Sequence, residues 1–378
     1  MITTLIAEQL FDGKRTLNNQ AISFENGRVI SFDMVKNAKV IKVPGLLTRG
    51  FIDVQVNGGG GYLFNHDRSL TTLKAMVLAH SRYGSTGLLP TLITSDIKTI
   101  NEAADTIALA IKEQLPGIVG VHFEGPHISE PKKGIHSSDH IRMLSAQELA
   151  VYCRDDLGFK VVTLAPENVS PKQIKELTNH GVKVCLGHSN ASFEVTQAAL
   201  AAGATGFTHL FNAMSPLTSR EPNMVGAALL DDNSWCGLIL DGHHVHPATA
   251  KVAIHAKKTG KMMLVTDAMS TIGSKQKAFE FDGHKILLEQ DMLTSQTGQL
   301  AGSALDMITA ITNAQVMLDV SLEEALRMAS LYPADFLGIN KYMPQLTVGA
   351  NADFTIIEKG DDSSFHVKQT WIGGKQIF

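Results

Sequence analysis

Eight short, largely apolar runs, most of them followed by a segment with helical spacing, constrain this chain more than any other feature. They occupy 51–58 (FIDVQVNG), 86–93, 117–126, 160–166, 182–189, 205–214, 235–244 and 261–268. Runs of this length and apolarity suit strands buried on both faces, as in a parallel sheet. Intervening stretches such as SLTTLKAMVLAHSRYG, IKTINEAADTIALAIKEQ and SPKQIKELTNHG carry helical periodicity, and several such stretches end in glycine, a common helix stop. Ser145 followed by Glu148 has the pattern of a capping box. Eight βα units in succession predict an α/β protein built on a (β/α)8 TIM-type barrel.

The two ends have a different texture. TLIAEQLFDGK, QAISFENGRVISF and AKVIKVPGLL read as short strands, with Asp12-Gly13 and Asn26-Gly27 as hairpin turns. ADFTIIEKG and FHVKQTWIGGKQIF repeat that texture at the C-terminus. Chain termini often lie close together. The expectation is a small β-sandwich-like domain made of 1–46 and 345–378, flanking a barrel of 47–344. After the eighth run, FEFDGHKILLEQDMLTSQTGQL reads as a hairpin-bearing insertion, Ser303 to Asp306 as a helix cap, and 321–338 as an amphipathic helix up to Pro333.

Composition removes several classes. With 33 basic against 37 acidic residues and no basic run, the chain has no nucleic-acid footprint. No apolar stretch reaches the roughly 20 residues that span a bilayer. The start lacks a signal-like core. Three cysteines without CxxC spacing suggest reduced thiols in a cytoplasm.

Chemistry gathers where the runs end. The first ends Gln55-Val56-Asn57, the third Glu124-Gly125-Pro126, and the fifth Gly187-His188-Ser189-Asn190. The sixth ends His209-Leu210-Phe211-Asn212, the seventh Asp241-Gly242-His243-His244, and the eighth Thr266-Asp267-Ala268. Active sites of such barrels form at the C-terminal ends of several strands. Any one of these histidines alone would be read as a satisfied core residue. Together, Glu124, His188 and His209 form a candidate metal set of one carboxylate and two imidazoles, which leaves a position for water. A bound metal can lower the pKa of that water from about 15.7 to about 7. A cation would also offset the cost of burying Glu124 at the end of an apolar strand. Asp267 beside such a site suits a general base that later protonates a leaving group. Neutral amides are poor zinc ligands, so Gln55 and Asn57 argue for one metal ion rather than two.

The motifs GFIDVQVNG, HFEGPH, KKGIH, LGHSNA, THLFNAMSP, SREPN, DGHHVHP and VTDAMS together resemble the N-acetylglucosamine-6-phosphate deacetylase family of the amidohydrolase superfamily. The resemblance runs over nearly the whole chain. It implies hydrolysis of the acetamide of N-acetylglucosamine 6-phosphate to glucosamine 6-phosphate and acetate. By motif, Glu124, His188 and His209 match metal ligands and Asp267 the catalytic aspartate. His136 matches a catalytic histidine near the substrate carbonyl, and His244 a substrate-binding histidine. Asn212 and Ala213 match a loop near the phosphate. Arg220 matches a phosphate-binding arginine that a neighbouring subunit can supply, which implies a homodimer or homotetramer. Gln55 and Asn57, counted with the substrate-binding residues, replace the superfamily's usual His-x-His pair and resemble its single-metal branch. The expected cofactor is one divalent ion per subunit, Zn2+ by default, with Fe2+, Co2+ or Mn2+ able to serve. The expected partner is a small amino-sugar phosphate, with no nucleic acid and no membrane. The alternatives are another amidohydrolase, such as a cyclic amidase or deaminase, and a catalytically inactive sugar-phosphate sensor.

Overall fold

The computed structural model describes residues 1–339 and 346–378. The expected domain boundary between 344 and 345 lies outside the described residues. The eight expected strands form one parallel sheet in sequential order, Phe51–Val56, Ser85–Ile93, Gly120–Glu124, Phe159–Leu164, Lys183–Leu186, Gly206–Phe207, Trp235–Leu238 and Met262–Leu264. The ladder does not run between the first and last of these. There the seam closes above the strands, through a Val56–Ala268 bridge and a hydrogen bond of 3.0 Å from the Asp267 N–H to the Gln55 carbonyl.

Helices Leu70–Ser81, Ile97–Lys112, Ala146–Tyr152, Pro171–Asn179, Phe193–Ala201 and Pro247–Ala256 follow strands where periodicity placed them. Ser69, Asp96, Ser170 and Ser192 cap four of them with side-chain bonds to backbone N–H groups, and the Ser145–Glu148 capping box is formed. A further helix, Asn223–Leu230, was not expected from the sequence; its N-cap is Pro222, with no side-chain bond to announce it. The amphipathic stretch 321–338 is two helices, Leu322–Ala329 and Leu331–Leu337, broken at Ser330 rather than at Pro333. Pro333 lies in the first turn of the second helix, where its missing N–H leaves no intrahelical bond unmade.

The two chain ends share a seven-stranded sheet in which Lys39–Arg49 pairs with both Thr3–Phe11 and Phe354–Lys359. The sheet curls until Val29, near its far edge, bonds to the Gly349 and Ala350 backbone ahead of Phe354. A core of its own fills the curl, including Leu5, Ile22, Phe24, Leu47, Phe354 and Trp371. Its other face meets the barrel through Phe11, Leu46, Ile357 and Ile372. Thr355 and Thr370 hydroxyls donate to the carbonyls of Gly84 and Ser81, at 2.7 and 2.6 Å. Gly84 precedes the second strand, so this sheet sits at the N-terminal end of the barrel and leaves the opposite mouth to the βα loops.

One further element reaches that mouth. Strands Ala278–Phe281, His284–Glu289 and Met292–Ser295 form a separate antiparallel sheet in the expected insertion. The chain returns from it to the eighth-strand end, where the Ser303 N–H donates to the Asp267 carbonyl at 2.9 Å. A side chain at Gly302 would lie 3.0 Å from that carbonyl and 2.6 Å from Met269 Cγ, and φ there is +59°. Glycine is what permits so close a return.

Candidate active site

Glu124, His188 and His209 come from the ends of the third, fifth and sixth strands, and each is nearly fully buried. One potential ligand atom from each lies within 4.8 Å of the others. Glu124 Oε1 is 3.4 Å from His188 Nε2 and 3.2 Å from His209 Nε2, and the two nitrogens are 3.0 Å apart. Three of the residues at this mouth hold left-handed backbone, His188 at φ 48°, His209 at 33° and Asp267 at 53°. Such conformations cost a non-glycine residue energy and concentrate at functional sites. They also explain why the sixth run, expected to extend over 205–214, is a strand only at Gly206–Phe207. Past it, His209, Phe211 and Ala213 all have positive φ and turn the chain into the mouth.

The hydrogen bonding defines what the metal set lacks. His188 Nδ1 lies 2.8 Å from the Lys132 carbonyl, so Nδ1 carries a hydrogen and Nε2 is the ring nitrogen turned toward Glu124 and His209. Burial favours a neutral Glu124, but bonding to His188 and His209 and their charges outweigh it and hold the carboxyl well below its usual range. Burial likewise opposes charge on His209, and Glu124 outweighs it and raises its proton affinity. A single proton can bridge two of these three acceptors; a divalent cation answers all three at once. The donor set therefore fits a divalent metal ion.

Around the set stand the other groups. Asp267 is buried, and burial with the charge of Glu124 pushes its carboxyl up to about 6. Asn57 Nδ2 donates to Asp267 Oδ1 at 2.6 Å and Gln55 Nε2 at 3.2 Å, while Gln55 also donates to Glu124 Oε1 at 3.0 Å. The first-strand amides thus steady both carboxylates. Among the described residues Asn57 Oδ1 has no protein partner, and Asn57 lines the cavity whereas Gln55 does not. His136 sits 4.3 Å from His188, ring centre to ring centre, with Nδ1 2.7 Å from the Thr94 hydroxyl. Burial drives its proton affinity down, so it is a neutral imidazole. His244 Nδ1 is paired with Asp241 Oδ2 at 2.6 Å.

These residues enclose a cavity of about 370 Å³ lined by Glu124, His136, His188, His209, His244 and Asp267, together with Asn212 and Ala213. Arg220 is exposed on the loop before Asn223–Leu230 and does not line it. Lys132, Thr94 and Gln299 were not singled out from the sequence. Thr94 follows the second strand and was findable by the strand-end rule. Lys132 supports His188 through its backbone, and Gln299 arrives from the inserted sheet. His122, by contrast, is packed inside the barrel, with Nδ1 3.0 Å from the Val54 carbonyl and Nε2 2.7 Å from the Thr163 hydroxyl.

Comparison with known proteins decides the lineage: residues 46–377 match the amidohydrolase family. The chain belongs to the amidohydrolase family. This amidohydrolase is 48% identical over 334 residues to an N-acetylgalactosamine-6-phosphate deacetylase of Shewanella sp. (strain ANA-3), covering 88% of this chain and 84% of that protein. It is 33% identical to an N-acetylglucosamine-6-phosphate deacetylase of Vibrio furnissii, covering 98% and 94%. The crystal structure of N-acetylglucosamine-6-phosphate deacetylase from Pasteurella multocida superposes with a TM-score of 0.94 at 32% identity, covering 100% of this amidohydrolase and 99% of that chain. Among the described residues, no helix is long and apolar enough to cross a membrane.

Proposed function

We propose that this amidohydrolase removes the acetyl group of N-acetylglucosamine 6-phosphate, giving glucosamine 6-phosphate and acetate. The observation that carries the reading is the convergence of Glu124, His188 and His209 beside a buried, amide-clamped Asp267 in one cavity. In this reading one divalent ion per subunit, zinc by default, is held by Glu124, His188 and His209. When bound, it supplies Lewis-acid polarisation and an acidified water.

The chain's own groups do the rest. Both amide donors bond Asp267 Oδ1, so Oδ2 is the oxygen that takes a proton from the attacking water and returns it to the departing amine. In this reading the Thr94 hydroxyl donates to Nδ1, so that His136 presents Nε2–H to the cavity and stabilises the developing oxyanion. The Asp241 carboxylate fixes the ring of His244 for a sugar hydroxyl. The Asn212-Ala213 turn and Arg220 take the phosphate, for which a guanidinium offers two parallel hydrogen bonds. Because Arg220 stands outside the cavity of its own chain, the reading has a second copy supply it, in a homodimer or homotetramer. The free thiols Cys153, Cys185 and Cys236 accord with a cytoplasmic setting.

A second reading, the 4-epimer N-acetylgalactosamine 6-phosphate, is favoured by the 48% identity to the Shewanella protein. The test is acetate release from both epimers, and from unphosphorylated N-acetylglucosamine, using protein chelated and then reloaded with one metal equivalent. Release from either phosphorylated epimer supports deacetylation, and the kcat/KM ratio assigns the epimer. Release only from the unphosphorylated sugar, or from none, would overturn it.

A further inference from the structure

A second cavity abuts the first behind His136. It measures about 330 Å³ and lies between the loop 133–139 and the inserted three-stranded sheet. Gly134, Ile135, His136 and Gln299 line both cavities and so form a wall that the two share. A third, smaller cavity of about 190 Å³ adjoins the second, sharing Ser137, Phe281 and Asp282 with it. The first two cavities thus adjoin from the metal set, past His136, to exposed residues of the second such as Ser138, Asp139 and His284. None of the catalytic steps above uses the second cavity.

Deacetylation makes two products in one enclosed place. The sugar phosphate is anchored on the side of Asn212, Ala213 and His244, whereas the acyl carbon reacts at His136. Acetate therefore forms behind the amino sugar, against the shared wall. Its surroundings in the second cavity are polar. Lys133, Ser138, His284 and Thr297 offer N–H and O–H donors, and Asp139 and Asp282 set negative charge against them. An anion meets hydrogen-bond donors there without a net positive charge to trap it, which suits passage rather than storage.

We infer that the second cavity is a side exit through which the small carboxylate product leaves while the amino-sugar phosphate still occupies the mouth. This rests on the deacetylase reading. It predicts an order of release, acetate first and amino sugar last. Glucosamine 6-phosphate (or its epimer, if that is the substrate) then inhibits competitively against substrate, and acetate noncompetitively. Plugging the exit reverses the order, since acetate must wait for the mouth to clear.

The experiment is product inhibition on metal-loaded wild type, His284→Trp and Ser138→Trp, with His284→Ala as an open-passage control. The two tryptophans approach from opposite walls, neither position touches the metal set, and failure of one variant to fold leaves the other. The expected result is noncompetitive acetate inhibition in wild type and His284→Ala, and competitive inhibition in a folded plug variant. The plug should lower kcat while kcat/KM holds, because only a step after chemistry is obstructed. Competitive acetate inhibition in wild type, or plug variants with the wild-type pattern, would overturn the side exit and leave the deacetylase intact. Absence of acetate release from wild type would remove both.

Discussion

Asp53 offers a sharp test of how this barrel is closed. It lies on the first strand with no exposed surface, away from the cavity. Its Oδ1 accepts the N–H of Gln55 at 3.2 Å and of Thr266 at 3.3 Å, and its Oδ2 is 2.5 Å from the Thr266 hydroxyl. Thr266 precedes Asp267 on the eighth segment, so the contact spans the seam that the strand ladder leaves open. Burial outweighs these bonds and pushes the carboxyl up to about 7 from 3.8. A carboxyl whose pKa is higher when folded holds its proton more tightly in the native state. Its stabilising contribution is complete below its unfolded pKa and is lost as pH rises through about 7. Between those limits each pH unit costs the folded state about 1.4 kcal/mol, so the whole loss is about 4 kcal/mol. Asparagine is the uncharged isostere: its carbonyl accepts the two N–H groups, and the Thr266 hydroxyl, which donates to Oδ2 in the wild type, turns to accept from the NH2. Asp53→Asn should match wild type near pH 4 and exceed it by up to about 4 kcal/mol at pH 8. Denaturant midpoints of both proteins across that range are the assay. Both carry the same metal residues, so pH-dependent metal binding cancels in the difference. A variant less stable than wild type by the same amount at every pH would show Asp53 to be an ionised, paired carboxylate, and the reasoning would fail.

The remaining predictions concern the site. Asp267→Asn should cut kcat by about 10²–10⁴-fold while the metal and the phosphorylated sugar still bind, the range for losing a general base; near-normal turnover would sink the proton-transfer assignment. Thr94→Val removes the partner of His136 Nδ1 and should lower kcat with metal stoichiometry, read by elemental analysis, unchanged. Arg220→Met should raise KM for the phosphorylated substrate far more than it changes kcat, and an unmoved KM would favour an unphosphorylated amide. His209→Gln should weaken metal affinity by at least the tenfold typical of disturbing a metal's support, measured by competition with a chromogenic chelator; unaltered affinity would place the ion elsewhere.

How much of this was legible in the sequence follows from what kind of order each part depends on. Strand periodicity is local, so the barrel, the two β-textured ends and the convergence of Glu124, His188, His209 and Asp267 could be read from the chain. The helix Asn223–Leu230 escaped because Pro222 provides no side-chain cap and Gly226 interrupts the apolar pattern. Lys132 escaped for a deeper reason: it supports His188 with a carbonyl oxygen, which every residue type possesses. Gln299 belongs to an insertion whose return to the mouth depends on Gly302 passing close to Asp267, a fact of tertiary geometry. The first-strand amides were legible in identity but not in action. Poor metal affinity accounts for what Gln55 and Asn57 do not do, while the structure gives their donors to the carboxylates of Glu124 and Asp267. That division has a mechanistic consequence. Imidazoles at 55 and 57 would be ligands competing for a cation, whereas amides donate hydrogen bonds to carboxylates whatever the metal content. Asp267 is thus held in place independently of the ion, so the carboxylate proposed as general base is positioned before the candidate metal set is filled.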